Sequence, residues 1–406
     1  MPREENSNKY FLKQPLNTNM IEGGISVTVR KIVVSFLKFL WKIVRLFRTE
    51  INSPPFRKIL IVRMRSLGEM IMCAPLAKLV RHKNHDSQIV LLTAKNLQAF
   101  AEGGGFVDRV IGVNENVFMA YNVRELFRLI RMLRRERFDF SIMTHPNFLM
   151  NLFNSLIGAK LTVGFNWNNE GFFNSVSIPP MKGMPKVKQY LSLGCPENDE
   201  EWGYTTFPFY TLKDKEWADR FVAENSIMLN ENLLIGVYGG GYKLPTRWPI
   251  ERYIEVVKKI KEIYGGKFIF FGGESDKNLC DVISARFPEA FDLIGKLSLG
   301  KTQALMAKCT VIICNDSGGY HLAAATGKPV LAIFGPTDPE YLTHRNTVVV
   351  KRNLQCAPCR IEDPTVYPIL FARECSYGKR CLEEINSDEV FSALRRLIEA
   401  HAQSFL

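Results

Sequence analysis

The sequence is poor in the features that would assign a class at a glance. No repeat of solenoid period and no low-complexity tract runs through it, which argues against a repeat array or an unstructured polymer. No zinc-finger, RRM or KH signature is present, so no motif assigns the chain to nucleic acid. There is no secretory signal. The nine cysteines are odd in number and mostly scattered or set in apolar runs, as at Cys73, Cys280, Cys309 and Cys314. That usage points to a reducing cytosol rather than to a disulfide framework. Long uninterrupted apolar runs are also missing. The most apolar stretch lies within residues 25–48, and its apolar run is interrupted by three cations, Lys38, Lys42 and Arg45, too many for a good bilayer span or a signal-peptide core.

What is present suits two α/β domains. The chain has 406 residues, 46% of them hydrophobic, enough for real cores. Its 53 Lys+Arg against 41 Asp+Glu leave a net charge of +12. That balance favours anionic partners such as phosphates, nucleotides or acidic lipid, without choosing among them.

The polar segment 1–24 precedes a helical pattern over Val29–Arg48. Lys31, Ser35, Lys38, Lys42 and Arg45 recur at spacings of four and three and form one polar stripe. Apolar residues and Trp41 fill the rest, as in a helix lying in a membrane interface. The other reading is a helix packed on the protein's own body or on another subunit. Asn52-Ser53-Pro54-Pro55 then breaks the chain as a hinge.

From Lys58 strands alternate with helices, the mark of a parallel, doubly wound sheet. Strands are expected at Ile59–Val62, Gln88–Leu92, Val107–Val113 and Phe138–Met143, with a basic helix over Val123–Leu133. Ligands of such sheets sit at the carboxyl ends of strands, which singles out Arg63–Glu69 and Thr144–Asn147. Alternation lapses over 183–230 and resumes with Leu234–Tyr238, followed by Gly239-Gly240-Gly241. Thr246-Arg247-Trp248-Pro249 opens a helix with proline near its first turn. Phe268–Phe271 closes on Gly272-Gly273-Glu274, and a helix is expected over Asp276–Ala285. The expected division is 1–57 tail and amphipathic helix, 58–190 N-terminal Rossmann-like domain, 191–230 interdomain segment, 231–350 C-terminal Rossmann-like domain, and 351–406 cysteine-rich finger with a closing helix.

The stretch that organises the chain is Ile312–Pro339. A buried strand ends in Asn315-Asp316, Ser317-Gly318-Gly319 turns tightly, and a short Ala-rich helix follows until Gly327 and Pro329 stop it. A second strand then runs into Gly335-Pro336-Thr337-Asp338-Pro339. A glycine turn opening a helix presents backbone N–H groups to a phosphate or diphosphate. Asp316 is placed to accept sugar hydroxyls and His321 to donate to a phosphate.

Asp316-Ser317-Gly318-x-x-His321-Leu322, then Gly327-x-Pro329, then Phe334-Gly335-Pro336-Thr337-Asp338-Pro339 resembles glycosyltransferase family 9, the lipopolysaccharide heptosyltransferases. Arg63-x-x-Ser66-Leu67-Gly68-Glu69 looks like that family's Ser-x-Gly-Asp turn. Arg247-Trp248-Pro249 looks like its Lys-[Arg/His]-Trp-Pro motif, and Gly272-Gly273-Glu274 follows in the family's order. The likeness covers about residues 58–395. It implies a GT-B fold, two Rossmann-like domains facing a cleft, and metal-independent, inverting transfer of a heptose from ADP-heptose to a lipopolysaccharide core or related lipid-linked acceptor. Such an enzyme would work on the cytoplasmic membrane face, held there by Val29–Arg48.

By the same resemblance, Glu69 takes the place of the family's Asp base. The structural alternative is a Glu that favours a helix N-terminus. Thr246 stands where the family usually has Lys, so Lys243 or Arg247 would have to supply charge to the diphosphate. Glu274 would bind the ribose, Asp316 the sugar hydroxyls, and Ser317, Gly318 and His321 the phosphates and sugar. Arg63 and Arg65 would grip an anionic acceptor. Both departures, Glu69 and Thr246, leave open another nucleotide sugar or a non-catalytic membrane-bound scaffold.

Near the C-terminus, Cys356, Cys359, Cys375 and Cys381 fall within 26 residues. Their spacing suits a structural zinc or iron site with all four ligand positions used, and disulfides are the alternative.

Overall fold

The computed structural model describes residues 56–119, 122–167, 171–179, 181, 183–194, 206–227, 233–241, 246–342, 344–358, 375 and 377–402. The expected amphipathic helix at 29–48, Lys243 and Cys359 lie outside the described residues.

Two six-stranded sheets, parallel throughout, form the scaffold. The first holds β1 (Lys58–Val62), β2 (Gln88–Ala94), β3 (Arg109–Val113), β4 (Phe140–Met143), β5 (Leu161–Phe165) and β6 (Val176–Ile178), in the order β3-β2-β1-β4-β5-β6. The second holds β7 (Leu234–Tyr238), β8 (Lys267–Phe270), β9 (Phe291–Asp292), β10 (Val311–Asn315), β11 (Val330–Phe334) and β12 (Thr347–Lys351). Its order, β12-β11-β10-β7-β8-β9, repeats the same winding. This is the two-Rossmann arrangement expected of GT-B. In each sheet the winding reverses at one place, between β1 and β4 and between β7 and β10, and ligands bind doubly wound sheets outside that reversal.

The strands are near-continuous apolar runs because helices cover both faces. Ile59, Leu60 and Val62 are fully buried, as are Ile312 and Ile313. The helices that matter here are α1 (Leu67–Lys83), α2 (Val123–Arg135), α3 (Phe148–Leu156), α4 (Lys186–Gly194), α5 (Leu212–Glu224), α6 (Ile250–Tyr264), α7 (Leu299–Met306), α8 (Gly318–Ala324) and α9 (Ser387–Ala402). α4 packs on α1, and α5 packs on α7, so the stretch without clean alternation supplies one helix to each half. α1 also packs on α8. One apolar cluster therefore runs from Leu76 and Leu79 of α1 to Leu322 and Ala323 of α8 and on to Phe334.

The expected helix over Asp276–Ala285 divides into a 3-10 turn, Glu274–Leu279, and an α-helix, Cys280–Arg286. The Asp276 carboxylate turns back to accept from Gly273 N–H at 2.9 Å and caps the start of the 3-10 turn. β5, β6 and β12 were not marked by sequence patterning. The closing helix expected from Ser387 is α9, packed on α6. Trp248 of the Arg-Trp-Pro motif is 1% exposed and donates from Nε1 to Ile385 O at 3.0 Å, which ties that closing segment to the second domain. Among the described residues no helix is long and apolar enough to cross a membrane.

Candidate active site

The first crevice is built at the carboxyl ends of β1 and β4. Ser66 lies between β1 and α1 with φ 70°, a value that costs a non-glycine residue about 1–3 kcal/mol. The sharp turn brings Glu69 into the first turn of α1. Its half-buried carboxylate pairs with the Arg63 guanidinium and stands 3.9 Å from Lys186 Nζ. Arg63 is 3% exposed. It donates to Tyr190 Oη at 3.1 Å and to Arg65 O at 3.2 Å. Arg65 is exposed and turns away to Glu115, at 2.6 Å. Of the two arginines expected to meet an acceptor, one is thus engaged with the candidate base and the other with a carboxylate near β3.

Lys186 and His145 join this group. Sequence patterning did not mark Lys186, because it belongs to α4 in the stretch where alternation lapses. His145 follows β4, in the segment singled out as a strand end. Its Nε2 accepts from Met64 N–H at 2.9 Å, so a neutral ring carries its proton on Nδ1. Burial, then the positive charges of Arg63, Lys186 and Arg65, hold His145 well below the ordinary histidine range. The ring is therefore a neutral donor at physiological pH.

The second crevice lies at the ends of β7 and β10. Asn315 is fully buried, accepts from Tyr253 Oη at 2.9 Å and donates to Gly240 O at 2.9 Å. Asp276, 1% exposed, accepts from Gly241 N–H at 3.1 Å and from Arg247 Nη2 at 2.6 Å. A Cβ at Gly240 would stand 2.3 Å from the Asp276 carboxylate, so only glycine lets the loop close on it. Arg247 also donates from Nε to Gly241 O at 2.8 Å. Its guanidinium thus helps to close the glycine loop on Asp276. Thr246 is buried beside it. Asp276 and Asn315 went unmarked because their roles depend on contacts between distant segments.

Glu274 is largely exposed and paired with Lys277. Asp316 is half-buried and follows β10. The Ser317 Oγ is buried and has no hydrogen-bond partner among the described residues, although it faces Gly241: a Cβ built there would lie 3.8 Å from it. Such an orphaned hydroxyl is uncommon in folded proteins.

The two crevices meet. A Cβ at Gly68 would lie 2.3 Å from His321 Cδ2, and one at Gly318 would lie 3.3 Å from Leu67 Cβ. Glycine at both places lets α1 and α8 touch, which sets Glu69 one residue from the contact. His321 Nδ1 is 3.0 Å from His344 Nε2. Burial lowers both rings, His321 well below its usual range and His344 to about 4.

These histidines give the protein a pH dependence. All three have folded values below the unfolded one, near 6.5. Each is neutral in both states above that value and binds a proton preferentially in the unfolded chain below it. Stability is therefore expected to be complete above pH 6.5 and to fall between 6.5 and 4, by roughly 1.4 kcal/mol per group per pH unit. Urea unfolding at pH 7.5 and pH 5 tests this, with a flatter profile expected for His344→Asn.

Among the described residues no group of three His, Cys, Asp or Glu side chains could hold a metal ion. Cys381 is buried in the apolar cluster of the second domain, whereas Cys375 is exposed.

The sequence profile of glycosyltransferase family 9 (heptosyltransferase) matches residues 126–368. Lipooligosaccharide heptosyltransferase 2 of Haemophilus influenzae is 27% identical over 254 residues, which cover 57% of this chain and 70% of that protein. Lipopolysaccharide heptosyltransferase 2 of Escherichia coli K12 is 25% identical over 314 residues, 72% of this chain and 87% of that one. A crystal structure of a family 9 glycosyl transferase from Veillonella parvula superposes with a TM-score of 0.70 at 20% identity, covering 86% of this chain and all of that one. With more than half of its length matched by the profile, and with the paired sheets and glycine-mediated contact described above, this chain belongs to glycosyltransferase family 9, the heptosyltransferase family, and is a glycosyltransferase.

Proposed function

We propose that the chain transfers a heptose from ADP-heptose to a lipopolysaccharide core or related lipid-linked acceptor, with inversion at the sugar carbon. The observation that carries this reading is the contact of Gly68 with His321, which brings the Glu69 carboxylate to the edge of the nucleotide motif. An acceptor hydroxyl held at Glu69 attacks the anomeric carbon. The oxygen–carbon bond forms as the bond from carbon to the diphosphate oxygen breaks. Glu69 takes the hydroxyl proton, and ADP leaves with the bond's electron pair.

In this reading Asp316 accepts from sugar hydroxyls and Glu274 from the ribose. The buried Ser317 hydroxyl, Gly318, Thr246 and His321 line the diphosphate, with Lys243 supplying its charge because Arg247 is engaged by Asp276. Residues 58–190 form the acceptor domain and 231–350 the donor domain. Arg63 and Lys186 flank Glu69 and oppose its taking a proton for as long as they stay paired with it. An acceptor that carries its own negative charge would draw these cations to itself and free the base, and His145 Nδ1–H would steady an acceptor hydroxyl. Val29–Arg48 would hold the enzyme at the inner face of the cytoplasmic membrane, and no catalytic metal takes part. Any metal at the cysteines, zinc or iron, would be structural.

Calorimetric titration with ADP, UDP, GDP and their sugar conjugates tests the reading. ADP and ADP-heptose are expected to bind at least about tenfold more tightly than the others, a difference of about 1.4 kcal/mol. Preference for another nucleotide would keep the transferase and change its donor. A folded protein that binds none of them would be a scaffold that kept the fold.

A further inference from the structure

α2 carries a surface that the transfer reaction does not use. Leu129 and Leu133 are buried against the first sheet, on the face opposite α1. The other side holds Arg124, Arg128, Arg131 and Arg135, at spacings of four, three and four, all exposed. Beside them Val123 is 74% exposed and Phe127 63% exposed, large values for apolar side chains. None of these arginines is in an ion pair among the described residues, whereas the neighbouring Glu136 is taken up by Lys58 and Arg109. The Arg131 guanidinium lies 5.8 Å from the Phe127 ring centroid.

We propose that this outward face of α2 docks on an anionic bilayer. Four uncompensated guanidinium groups are complementary to lipid phosphates, and exposed Phe and Val along the edge of the stripe give the helix something to sink between headgroups. Duplex nucleic acid would use the arginines but leave Val123 and Phe127 in water. The placement is apt for a lipid-linked acceptor. α2 runs back along the sheet into β4, so its Val123 end lies on the side where β1 and β4 end at the candidate base. The proposal needs neither the donor assignment nor the role of Glu69, and it is separate from any contribution of residues 29–48.

Co-sedimentation of the full chain with phosphatidylcholine vesicles, with and without 30% phosphatidylglycerol, tests it. An R124E/R128E/R131E variant is compared with K213E/R220E/K258E, which carries the same change of charge at other exposed positions. The first is expected to bind anionic vesicles roughly 100-fold more weakly than wild type, and the second to stay within about 3-fold. Phe127→Ser is expected to weaken binding by about 10-fold. ADP affinity, unchanged in all four proteins, would show that the fold is intact and would separate this result from a failure of the donor assignment. Equal losses in the two triple variants would mean that net charge alone attracts the protein, and wild-type binding by the first would mean that α2 does not dock. Loss of duplex DNA binding without loss of vesicle binding would assign the face to nucleic acid. Each of those three results overturns the proposal.

Discussion

Replacing Glu69 by Gln is expected to lower the transfer rate roughly 10³-fold while leaving ADP affinity within about 2-fold. A positioned general base contributes about 10² to 10⁴ in rate, and Gln keeps the shape of Glu without its basicity. The same carboxylate also neutralises Arg63, which is 3% exposed, so a second effect has to be separated from the first. Removing one member of a buried ion pair costs about 3–5 kcal/mol, and the half-buried Glu69 should fall below that range. Glu69→Asp distinguishes the two. It restores the charge beside Arg63, so stability should return, and the rate should recover at least in part if the group acts as a base. Single-turnover rates read beside thermal melting decide the matter. A rate unchanged in Glu69→Gln would leave Glu69 a purely structural partner of Arg63.

Gly68→Ala is expected to cost at least about 100-fold in transfer rate and to destabilise the protein by about 1–3 kcal/mol. The new methyl would stand 2.3 Å from His321 Cδ2, and His321 cannot swing aside freely because its Nδ1 is held 3.0 Å from His344 Nε2. α1 and α8 must then separate, and separation displaces Glu69 from the Asp316–His321 turn. An ångström at a reacting centre is enough for the stated loss. His321→Ala removes the obstacle, so the double variant should melt no lower than His321→Ala alone. Additive losses of stability would show that the two residues do not press on each other.

Much of the architecture could be read before the structure. The apolar runs at Leu234–Tyr238 and Val311–Asn315 matched strands closely because strands covered on both faces are almost wholly apolar, and glycines bound them. The weaker strands β5, β6 and β12 escaped because Leu161–Phe165 is interrupted by Thr162 and Gly164, Val176–Ile178 spans only three residues, and Thr347–Lys351 is half-exposed at an edge. The segments that hold Glu69, His145, Asp316 and Ser317 were legible as strand ends, since a doubly wound sheet binds ligands nowhere else so often.

The sequence by itself determined the winding of two parallel sheets, the family, and the turn chemistry at Ser66-Leu67-Gly68 and Ser317-Gly318-Gly319. Those features are local: period, glycine placement and order along the chain carry them. The tertiary structure alone decided which partner each charged side chain takes. Arg247 closes the glycine loop through Asp276, Arg63 meets Glu69, and Lys186 arrives from an unpatterned stretch. Lys186 reaches Glu69 across more than a hundred residues, and even the nearer pairs depend on how a strand, a turn and a helix are set in space. No local pattern encodes such a distance.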